Sequence, residues 1–438
     1  MKPVRVGICG LGTVGGGTFN VLTRNADEIA RRAGRPIVVE QVAHRSLNPE
    51  CDLTGTKTTT DVFEVARNPD IDVVVELVGG YELARELVLA AIANGKHVVT
   101  ANKALIAVHG NEIFKAAHEQ GVIVAFEGAV AGGVPVIKSL REGLGANRIE
   151  WVAGIINGTG NYILTHMRSE GRAFEDVLAE AQALGYAEAD PTFDVEGIDA
   201  AHKLTILASI AYGVPLQFEK AYTEGISRVT FDDVEQADFL GYTIKHLGIS
   251  KRTDAGLELR VHPTLIPKER LLANVHGVKN AIAIMGDAVG PTLYYGAGAG
   301  AEPTASAVVA DLLDVARDIA TDHHYRVPYL AFIGIGDDDG SMPILPMEDI
   351  VTAYYLRLLA VDRPGVLARV ATILAEQGIS IEALVQKEAT EGELVPIILL
   401  THRTREKNMN EAIRHIESMA DIAGPVTRIR VESLDEQE

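Results

Sequence analysis

The chain has 438 residues, a length at which about three domains are usual, and its 47% hydrophobic content suffices for sizeable cores. Acidic residues outnumber basic ones by 60 to 40, and the net charge of −20 disfavours nucleic acid or a membrane surface as a partner. Two cysteines allow at most one disulfide, too few for a disulfide framework in a chain of this length, and no apolar run reaches the ~18 residues of a transmembrane helix. Because the N-terminus also shows no signal peptide, these features predict a cytoplasmic protein.

The first part of the chain alternates short β-branched runs with helical segments, which is the pattern of a parallel sheet with crossover helices. A glycine follows each of the predicted helices Glu82–Asn94 and Ile113–Gln120, and glycine is common just after a helix. We therefore predict an α/β domain of the Rossmann type, with a doubly wound sheet, over residues 1–128. Its predicted strands are Val4–Cys9, Ile37–Ala43, Val73–Leu77, His97–Thr100 and Val122–Phe126.

Two further domains are predicted after this one. Residues 129–340 mix strands and helices without a repeated crossover unit, which indicates an α+β domain. The stretch Gly336–Met347 is rich in Asp, Gly and Pro and is interpreted as a linker. Residues 352–432 follow the order βαββαβ, which predicts a ferredoxin-like domain.

A glycine-rich loop joins the first predicted strand to the first helix. It satisfies G-x-G-x-x-G, in which the first glycine makes a tight turn, the second admits a pyrophosphate and the third lets helix pack on strand. The helix N-terminus would then face the phosphates. Dinucleotide binding is the favoured interpretation, and a tight turn without a ligand is the alternative. The loop consists of Gly10, Leu11, Gly12, Thr13, Val14 and Gly15.

The end of the second strand bears on the choice of dinucleotide. NAD-binding proteins usually carry Asp or Glu there to hold the ribose 2′-hydroxyl, whereas this chain has Arg45. A guanidinium matches the geometry of a 2′-phosphate, so NADP(H) is favoured over NAD(H). The alternative is a solvated surface arginine that takes no part in cofactor binding.

Two lysines lie where a functional group is expected. Lys103 follows the fourth predicted strand, and ligands of open α/β sheets bind outside the carboxyl ends of the strands; helix capping is the alternative. Lys203 comes four residues after Asp199, so a helix places both on one face, and the apolar run that follows indicates burial. The alternative is a surface ion pair of little consequence. Further carboxylates precede this pair at Glu188 and Asp194, and they would suit a substrate with an ammonium group.

Taken together, these segments resemble homoserine dehydrogenase of the single-function type with a C-terminal ACT domain. The matching segments come in the family's order and cover nearly the whole chain, which makes their combination far more specific than any one motif. One departure is Gly160, where the family commonly has a second threonine in N-G-T-T-N-Y, and it bears on the substrate-side loop. The segments are GICGLGTVGGG, VVTANKALIA, FEGAVAGGVPVI, IINGTGNYIL, LGYAEADPTFDVEGIDAAHKLTILA and YYGAGAGAEPTASAVVADLL.

The resemblance implies reversible hydride transfer between NAD(P)H and L-aspartate 4-semialdehyde, which yields L-homoserine for threonine, methionine and isoleucine biosynthesis. Lys203 matches the family's acid/base lysine, and Lys103 matches a second lysine near the nicotinamide and the substrate. A hydrogen-bond donor at the aldehyde oxygen would stabilise the developing alkoxide. The residues matched to substrate binding are Glu188, Asp199, Asp194, Gly158 and Thr159. The residues matched to cofactor binding are Gly185 and Gly300, in addition to the glycine loop, Arg45 and Lys103.

The resemblance also implies a monovalent cation, often sodium, held largely by backbone carbonyls. Its pattern falls on Glu127, Val130, Gly132 and Val134, where a glycine-rich turn would expose the oxygen ligands that a hard cation prefers. Without the resemblance, a plain strand-to-helix connection would be the simpler interpretation.

The C-terminal segment contains D-R-P-G-V-L, which matches the ACT pattern for binding a small amino acid. By this resemblance Asp362, Gly365 and Val366 are effector residues, and threonine, an end product made from homoserine, is the expected feedback inhibitor. A homodimer or homotetramer is expected as well. The alternatives are a domain that only mediates assembly and one that is silent in this protein.

Two other functions are compatible with parts of the pattern. Aspartate-semialdehyde dehydrogenase oxidises the same aldehyde through a reactive cysteine, but the sequence around Cys9 and Cys51 supplies no base. A non-catalytic regulator could bind a dinucleotide and report through the C-terminal domain. The predicted cluster of Lys203, Glu188 and Asp199 disfavours the regulator, because a sensor needs no acid/base lysine.

Overall fold

A computed structural model describes residues 2–46, 48–319, 327–332, 342–386 and 393–434. The first half of the predicted linker Gly336–Met347 lies outside the described residues. The chain divides into two compact units, of which the first comprises Met1–Gly158, Asp199–Ala221 and Val278–Met342, and the second Thr159–Ile198, Tyr222–Gly277 and Pro343–Glu438. Within the described ranges, no helix is both long and apolar enough to cross a membrane.

Strands and helices are numbered here in chain order. The strands are β1 (Val4–Cys9), β2 (Ile37–Ala43), β3 (Lys57–Thr59), β4 (Val73–Glu76), β5 (His97–Thr100), β6 (Val124–Ala125), β7 (Ile149–Ile155), β8 (Tyr222–Thr223), β9 (Tyr242–Thr253), β10 (Gly256–Pro267), β11 (Lys279–Gly286), β12 (Gly290–Ala297), β13 (Val351–Val361), β14 (Ile381–Gln386), β15 (Leu394–Thr401), β16 (Thr404–Arg405) and β17 (Ile422–Val431). The helices are α1 (Thr13–Arg24), α2 (Ala26–Ala33), α3 (Val62–Arg67), α4 (Glu82–Ala93), α5 (Lys103–Gln120), α6 (Val136–Lys138), α7 (Gly158–Glu170), α8 (Phe174–Ala183), α9 (Thr192–Val195), α10 (Ile198–Tyr212), α11 (Phe231–Phe239), α12 (Ala301–Asp318), α13 (Val366–Glu376) and α14 (Glu406–Glu417).

The first unit contains a six-stranded sheet in the order β3-β2-β1-β4-β5-β6, and all of its strand pairs are parallel. This order reverses direction between β1 and β4, as in a Rossmann-type doubly wound sheet. The predicted α/β fold is thereby confirmed. Strand β3 escaped prediction because its three residues are polar and only partly buried. A second, antiparallel group in the same unit pairs β11 with β7 and β12.

Helix α5 begins at Lys103, well before the predicted start at Ile113. Gly110 in its middle weakens the helical pattern in the sequence. In the structure a Cβ on Gly110 would lie 2.4 Å from Leu216 Cδ1, so the glycine permits close packing inside the helix. Asn102 precedes the helix as its N-cap and accepts from the Leu105 amide at 3.1 Å. Lys103 is therefore the first residue of a capped helix.

The core of the nucleotide-binding sheet is completed by a helix from far along the chain. Ala305, Val308 and Leu312 of α12 belong to the same buried cluster as Phe19 of α1. A Cβ on Gly17 of α1 would lie 2.6 Å from the Ala301 carbonyl oxygen, so the two helices touch through their backbones. Part of the segment predicted as 129–340 therefore packs into the core of the segment predicted as 1–128.

The C-terminal part of the second unit follows the predicted order, with β13, α13, β14, β15, α14 and β17 arranged in the sheet order β17-β13-β15-β14. Side chains from this sheet and from both helices form one buried cluster, which includes Tyr354, Leu356, Val370, Leu374 and Ile416. The predicted ferredoxin-like fold of the C-terminal part is confirmed.

This ferredoxin-like part shares its sheet with the segment Tyr222–Gly277. Strand β17 pairs in parallel with β10, with Thr264 opposite Arg430. The Arg430 guanidinium is fully buried and donates to Glu406 at 2.5 Å and to Glu224 at 2.8 Å. A buried cation requires such carboxylates, and removing one partner usually costs about 3–5 kcal/mol. The C-terminal part is therefore an integral part of the second unit.

Candidate active site

The glycine loop between β1 and α1 has the geometry expected of a dinucleotide-binding turn. Gly10 has φ +98°, and a Cβ there would lie 2.4 Å from the Leu77 carbonyl oxygen. A Cβ on Gly15 would lie 1.9 Å from the Gly10 carbonyl oxygen, whereas a Cβ on Gly12 would have no atom within 4 Å. The first and third glycines are thus required by backbone packing, and the second borders open space. Gly12 is the N-cap of α1, and no side chain accepts from the amides of the first turn. The turn therefore fits a pyrophosphate.

Besides Lys103, three further residues were predicted to bind the cofactor, two in the first unit and one in the second. Arg45 is exposed in the bend after β2, at the carboxyl edge of the sheet. Gly300 has φ +119° and precedes α12, next to Ala301, the residue that contacts α1. Gly185, with φ +74°, belongs to the second unit, and its assignment to the cofactor stays a prediction.

The centre of the candidate active site is a carboxylate shared by two lysines. Helix α10 places Asp199 in its first turn and Lys203 one turn later, with only 3% and 8% of each residue exposed. Lys203 Nζ donates to Asp199 Oδ2 at 2.6 Å and to the Ile156 carbonyl oxygen at 2.7 Å. Lys103 Nζ lies 3.0 Å from Asp199 Oδ1. The two lysines that the sequence singled out separately therefore meet at one carboxylate.

A third donor to this carboxylate was not predicted. Asn157 lies between β7 and α7 in the N-G-T-G motif, and its Nδ2 donates to Asp199 Oδ2 at 2.9 Å. Burial opposes ionisation of Asp199, but Lys203 and Lys103 outweigh it and hold the pKa of this carboxyl well below its usual range. Asp199 is therefore ionised at neutral pH and fixes both ammonium groups.

His202, next to Lys203, was also missed. Its buried ring stacks on Phe218 at a centroid distance of 4.1 Å, and its Nε2 lies 3.2 Å from the Tyr81 hydroxyl. Tyr81 directly precedes α4, so the histidine ties the start of α4 to α10. A lone histidine in an apolar helix gives no sequence signal of such a contact.

The remaining predicted substrate residues belong to the second unit, apart from Gly158. Thr159 Oγ1 lies 2.7 Å from the Tyr186 carbonyl oxygen and 3.1 Å from Asp194 Oδ2. The first turn of α7 is thereby tied to the segment that carries Asp194. Glu188 is exposed in the same segment, and its carbonyl oxygen accepts from Gln182 at 3.0 Å. Substrate binding by Glu188, Asp194 and Thr159 stays a prediction.

The predicted cation residues form a turn with two successive positive φ angles, 54° at Ala131 and 49° at Gly132. In the part of the chain that the structure describes, no backbone amide donates to the carbonyl oxygens of Val130 or Gly132. The Glu127 carboxylate accepts from the amides of Ile137 and Lys138 at 3.0 and 2.8 Å. Burial, and then the charge of Asp311, raise the pKa of Glu127 to about 7. Among the described residues, no cluster of three or more His, Cys, Asp or Glu side chains could hold a metal ion, so a cation here would depend on carbonyl oxygens.

The predicted effector loop joins β13 to α13. Gly365 is the N-cap of α13 and has φ +91°, a conformation that favours glycine. Gln386 Nε2 lies 3.4 Å from Asp362 Oδ1, and Val366 is the buried first residue of the helix. The loop therefore has the helix N-terminus and the flanking carboxylate on which the effector prediction depends.

Comparison with known proteins decides the family. Residues 10–127, 135–313 and 354–421 match the family models described as homoserine dehydrogenase NAD binding domain, homoserine dehydrogenase and ACT domain. A homoserine dehydrogenase of Pseudomonas aeruginosa is 70% identical over 99% of this chain and 100% of its own length. The chain belongs to the homoserine dehydrogenase family. It is accordingly an NAD(P)-dependent oxidoreductase that acts on a CH–OH group.

Solved structures agree with this assignment. The crystal structure of a homoserine dehydrogenase from Thiobacillus denitrificans has a TM-score of 0.94 and 64% identity, and each chain is covered to 99%. A hyperthermophilic archaeal homoserine dehydrogenase in complex with NADPH has a TM-score of 0.61 and 26% identity, over 72% of this chain and 98% of its own.

A buried lysine contacts the N-G-T-G-N motif of this homoserine dehydrogenase family member. Lys245 on β9 is 1% exposed, and its Nζ donates to Asn161 Oδ1 at 3.1 Å and to the Val275 carbonyl oxygen at 2.5 Å. Asn161 Nδ2 in turn donates to the Gly277 carbonyl oxygen at 2.8 Å. Burial, and then the charge of Arg168, lower the pKa of Lys245 to about 7. Lys245 thus holds Asn161 of the N-G-T-G-N motif without a carboxylate within salt-bridge distance among the described residues.

We expect Lys245 to make the free energy of unfolding depend on pH. Its pKa is about 7 in the folded chain and near 10.5 when unfolded, so between these values the unfolded chain binds a proton that the folded chain does not. The stability that Lys245 contributes is therefore fully present above pH 10.5 and is lost as pH falls toward 7. The free energy of unfolding of the wild type, minus that of Lys245→Met, should therefore rise with pH between these values, by at most about 1.4 kcal/mol per pH unit. Urea unfolding across this range measures the slope, with Lys251→Met on the same strand as the control. A flat difference would contradict the assigned pKa.

Proposed function

We propose that the chain catalyses the reversible reduction of L-aspartate 4-semialdehyde to L-homoserine. The observation that carries the proposal is the buried Asp199 carboxylate, which holds Lys203 at 2.6 Å and Lys103 at 3.0 Å beside the carboxyl edge of a nucleotide-binding sheet. When bound, the nicotinamide cofactor supplies the hydride for reduction or accepts it for oxidation. What remains for the protein is to bind both reactants and to provide a proton at the carbonyl oxygen.

Lys203 is the proton donor in this proposal. In the reductive direction a proton leaves the Nζ ammonium as the carbonyl oxygen of the aldehyde becomes an alcohol, and the resulting neutral amine takes up a proton from solvent. In the oxidative direction the neutral amine accepts the proton of the hydroxyl group. General acid catalysis of this kind contributes about 10²–10⁴-fold to a rate.

Asp199 and Lys103 support this chemistry electrostatically. The hydrogen bond from Lys203 Nζ to the Ile156 carbonyl oxygen and its ion pair with Asp199 fix the direction of the ammonium group. Lys103, at the start of α5, is proposed to lie near the nicotinamide and the substrate. Its positive charge would stabilise the negative charge that develops on the carbonyl oxygen.

The substrate's ammonium group is proposed to interact with Glu188 and Asp194, and Gly158 and Thr159 are proposed to form the substrate-side loop. Thr159 is already bonded to the segment that contains Asp194. Both carboxylates are oxygen acceptors, which suit an α-ammonium group.

A route through a thiohemiacetal is not supported. Burial, and then the charges of Glu76 and Asp61, raise the pKa of the Cys9 thiol far above its usual range. Burial and the charge of Glu50 raise the pKa of Cys51 as well. Because the thiolate is the nucleophile, neither cysteine is activated.

We expect Lys203→Met to lower kcat by about 10²–10⁴-fold while leaving the Kd for NADPH nearly unchanged. The methionine keeps the volume of the side chain but cannot donate a proton. Lys96→Met is the matched control, because Lys96 is also 8% exposed and donates to a backbone carbonyl oxygen, that of Ile71, at 2.7 Å. Steady-state kinetics and fluorescence titration of NADPH measure the two quantities. Normal turnover in Lys203→Met would remove Lys203 from the mechanism.

NADP(H) is proposed as the preferred cofactor, with NAD(H) as the alternative. Arg45 is exposed at the end of β2, where a 2′-phosphate would be bound, and an archaeal relative has been solved in complex with NADPH. The guanidinium offers the donor geometry that a phosphate requires.

Arg45→Glu should therefore raise the KM for NADPH much more than the KM for NADH. The new carboxylate would repel a 2′-phosphate but could accept from a ribose 2′-hydroxyl. Arg31→Glu on α2 changes the net charge equally at an exposed site, and it controls for long-range electrostatics. If the ratio of the two KM values moves no further in Arg45→Glu than in Arg31→Glu, Arg45 is a surface residue only.

A monovalent cation, sodium by resemblance, is proposed to bind the turn at Glu127, Val130, Gly132 and Val134. The carbonyl oxygens of Val130 and Gly132 that accept no described amide support this site. A homodimer or homotetramer is also proposed. The exposed Leu293 and Tyr295 on the edge strand β12 support a subunit contact there.

Threonine is proposed as a feedback inhibitor that binds the loop at Asp362, Gly365 and Val366. The amides at the start of α13 would bind its carboxylate, and Asp362 would accept from its ammonium group. The ACT family match and the positive φ of Gly365 support this assignment. Inhibition requires that threonine bind one state of the enzyme more tightly than another.

We expect Gly365→Asp and Asp362→Ala to abolish inhibition by millimolar threonine while kcat stays near the wild-type value. These variants are preferable to truncation, which would remove Arg430 and leave the half-buried Glu224 without this partner. Gly424→Asp, at another glycine with positive φ and with open space around it in the same unit, is the matched control. An intact enzyme that is indifferent to millimolar threonine would overturn the proposal and favour assembly as the role of the domain.

A further inference from the structure

A buried glutamate at the end of β4 has no place in the mechanism so far. Glu76 is fully buried and lies opposite Thr100 of β5 in the sheet register. Its Oε1 accepts from the amides of Val78 and Gly79 at 2.9 and 3.1 Å, and its Oε2 accepts from Thr100 Oγ1 at 2.6 Å. One side chain thus orders both the turn after β4 and the end of β5.

The contacts continue from Thr100 to the first residue of α5. The Asn102 amide donates to Thr100 Oγ1 at 3.0 Å, and Asn102 Nδ2 donates to the Gly80 carbonyl oxygen at 2.8 Å. Asn102 is also the N-cap of α5, whose first residue is Lys103. A chain of hydrogen bonds therefore connects Glu76 to the backbone that carries Lys103.

This arrangement is costly for stability alone. Burial raises the pKa of Glu76 above its usual range, against the opposing effect of the hydrogen bond from Thr100. Among the described residues, no Lys, Arg or His side chain lies within salt-bridge distance of its carboxylate. A neutral residue of the same shape would avoid the desolvation of a carboxylate. A requirement other than folding stability would account for the carboxylate.

We propose that Glu76 is a positioning residue for Lys103, acting through Thr100 and Asn102. A carboxylate accepts from two amides and a hydroxyl at once, and by accepting the Thr100 hydrogen it fixes the orientation of the hydroxyl, whose lone pair accepts from the Asn102 amide. This fixes the start of α5 and the direction in which Lys103 leaves it. The inference rests on the proposed role of Lys103 in the reaction.

The test compares Glu76→Gln and Thr100→Val with Thr100→Ser, which keeps the hydroxyl. We expect the first two to lower kcat about tenfold with little change in KM for NADPH, because a misplacement of about 1 Å can cost about 10²-fold and a smaller one costs less. The melting temperature of Glu76→Gln should be equal to or above that of the wild type. Thr100→Ser should keep kcat near the wild-type value. Thr401→Val is the matched control, since it removes an equally buried hydroxyl that accepts from the Tyr354 amide.

Combination with Lys103→Met separates this inference from the proposed function. If Glu76 acts through Lys103, adding Glu76→Gln to Lys103→Met should produce no further loss of kcat. A fully active Lys103→Met would overturn the proposed role of Lys103. Low activity in Lys103→Met together with wild-type kcat in Glu76→Gln would overturn the positioning role alone. If Glu76→Gln lowers kcat only in proportion to its loss of melting temperature, and Thr401→Val shows the same relation, the role of Glu76 is purely structural.

Discussion

The ion pairs of Asp199 are the constraint on which the candidate active site depends. The buried Lys203 ammonium loses most of its hydration and is repelled by the half-buried Lys103, and one ionised carboxylate interacts favourably with both. That carboxylate accepts from Lys203, from Lys103 and from Asn157, which come from three different elements of the first unit. The first turn of α10, the start of α5 and the end of β7 must therefore meet at one point. The register of β5 in the sheet and the N-cap of α5 fix the position of Lys103 at this point.

The sequence was informative wherever the relevant interactions were local. The glycine loop could be recognised because its three glycines have fixed spacings, and the ion pair of Asp199 with Lys203 follows from one helical turn. Most strands of the first sheet were predicted because they are continuous apolar runs between turns. The ferredoxin-like order was predicted for the same reason, and the loop at Gly365 followed from a contiguous motif.

Long-range contacts could not be predicted in this way. Nothing local indicates that Lys103 shares a carboxylate with Lys203, or that α12 completes the core around α1. The parallel pairing of β10 with β17 joins segments far apart in the chain. Lys245 and Glu76 were not predicted because a charged residue in a strand gives no local sign of burial, and only the fold shows which oxygens or amides surround it. The early start of α5 was missed because Gly110 reads as a helix breaker until its packing neighbour is known.

The second unit restricts how an effector could act on it. The loop at Asp362 follows β13, and Arg357 of this strand donates to the buried Asp233, which belongs to the capping box of α11. Arg430 of the neighbouring β17 donates to the buried Glu406 and to the half-buried Glu224. Leaving one member of such a pair buried without its partner usually costs about 3–5 kcal/mol. An allosteric coupling free energy is usually about 1–3 kcal/mol. A coupling of the usual size at the loop is therefore too small to offset the loss of one of these pairs. Any two states that it distinguishes must keep both pairs intact, so they differ in the loop itself or in a movement that β13, β17 and the segment Tyr222–Gly277 make together.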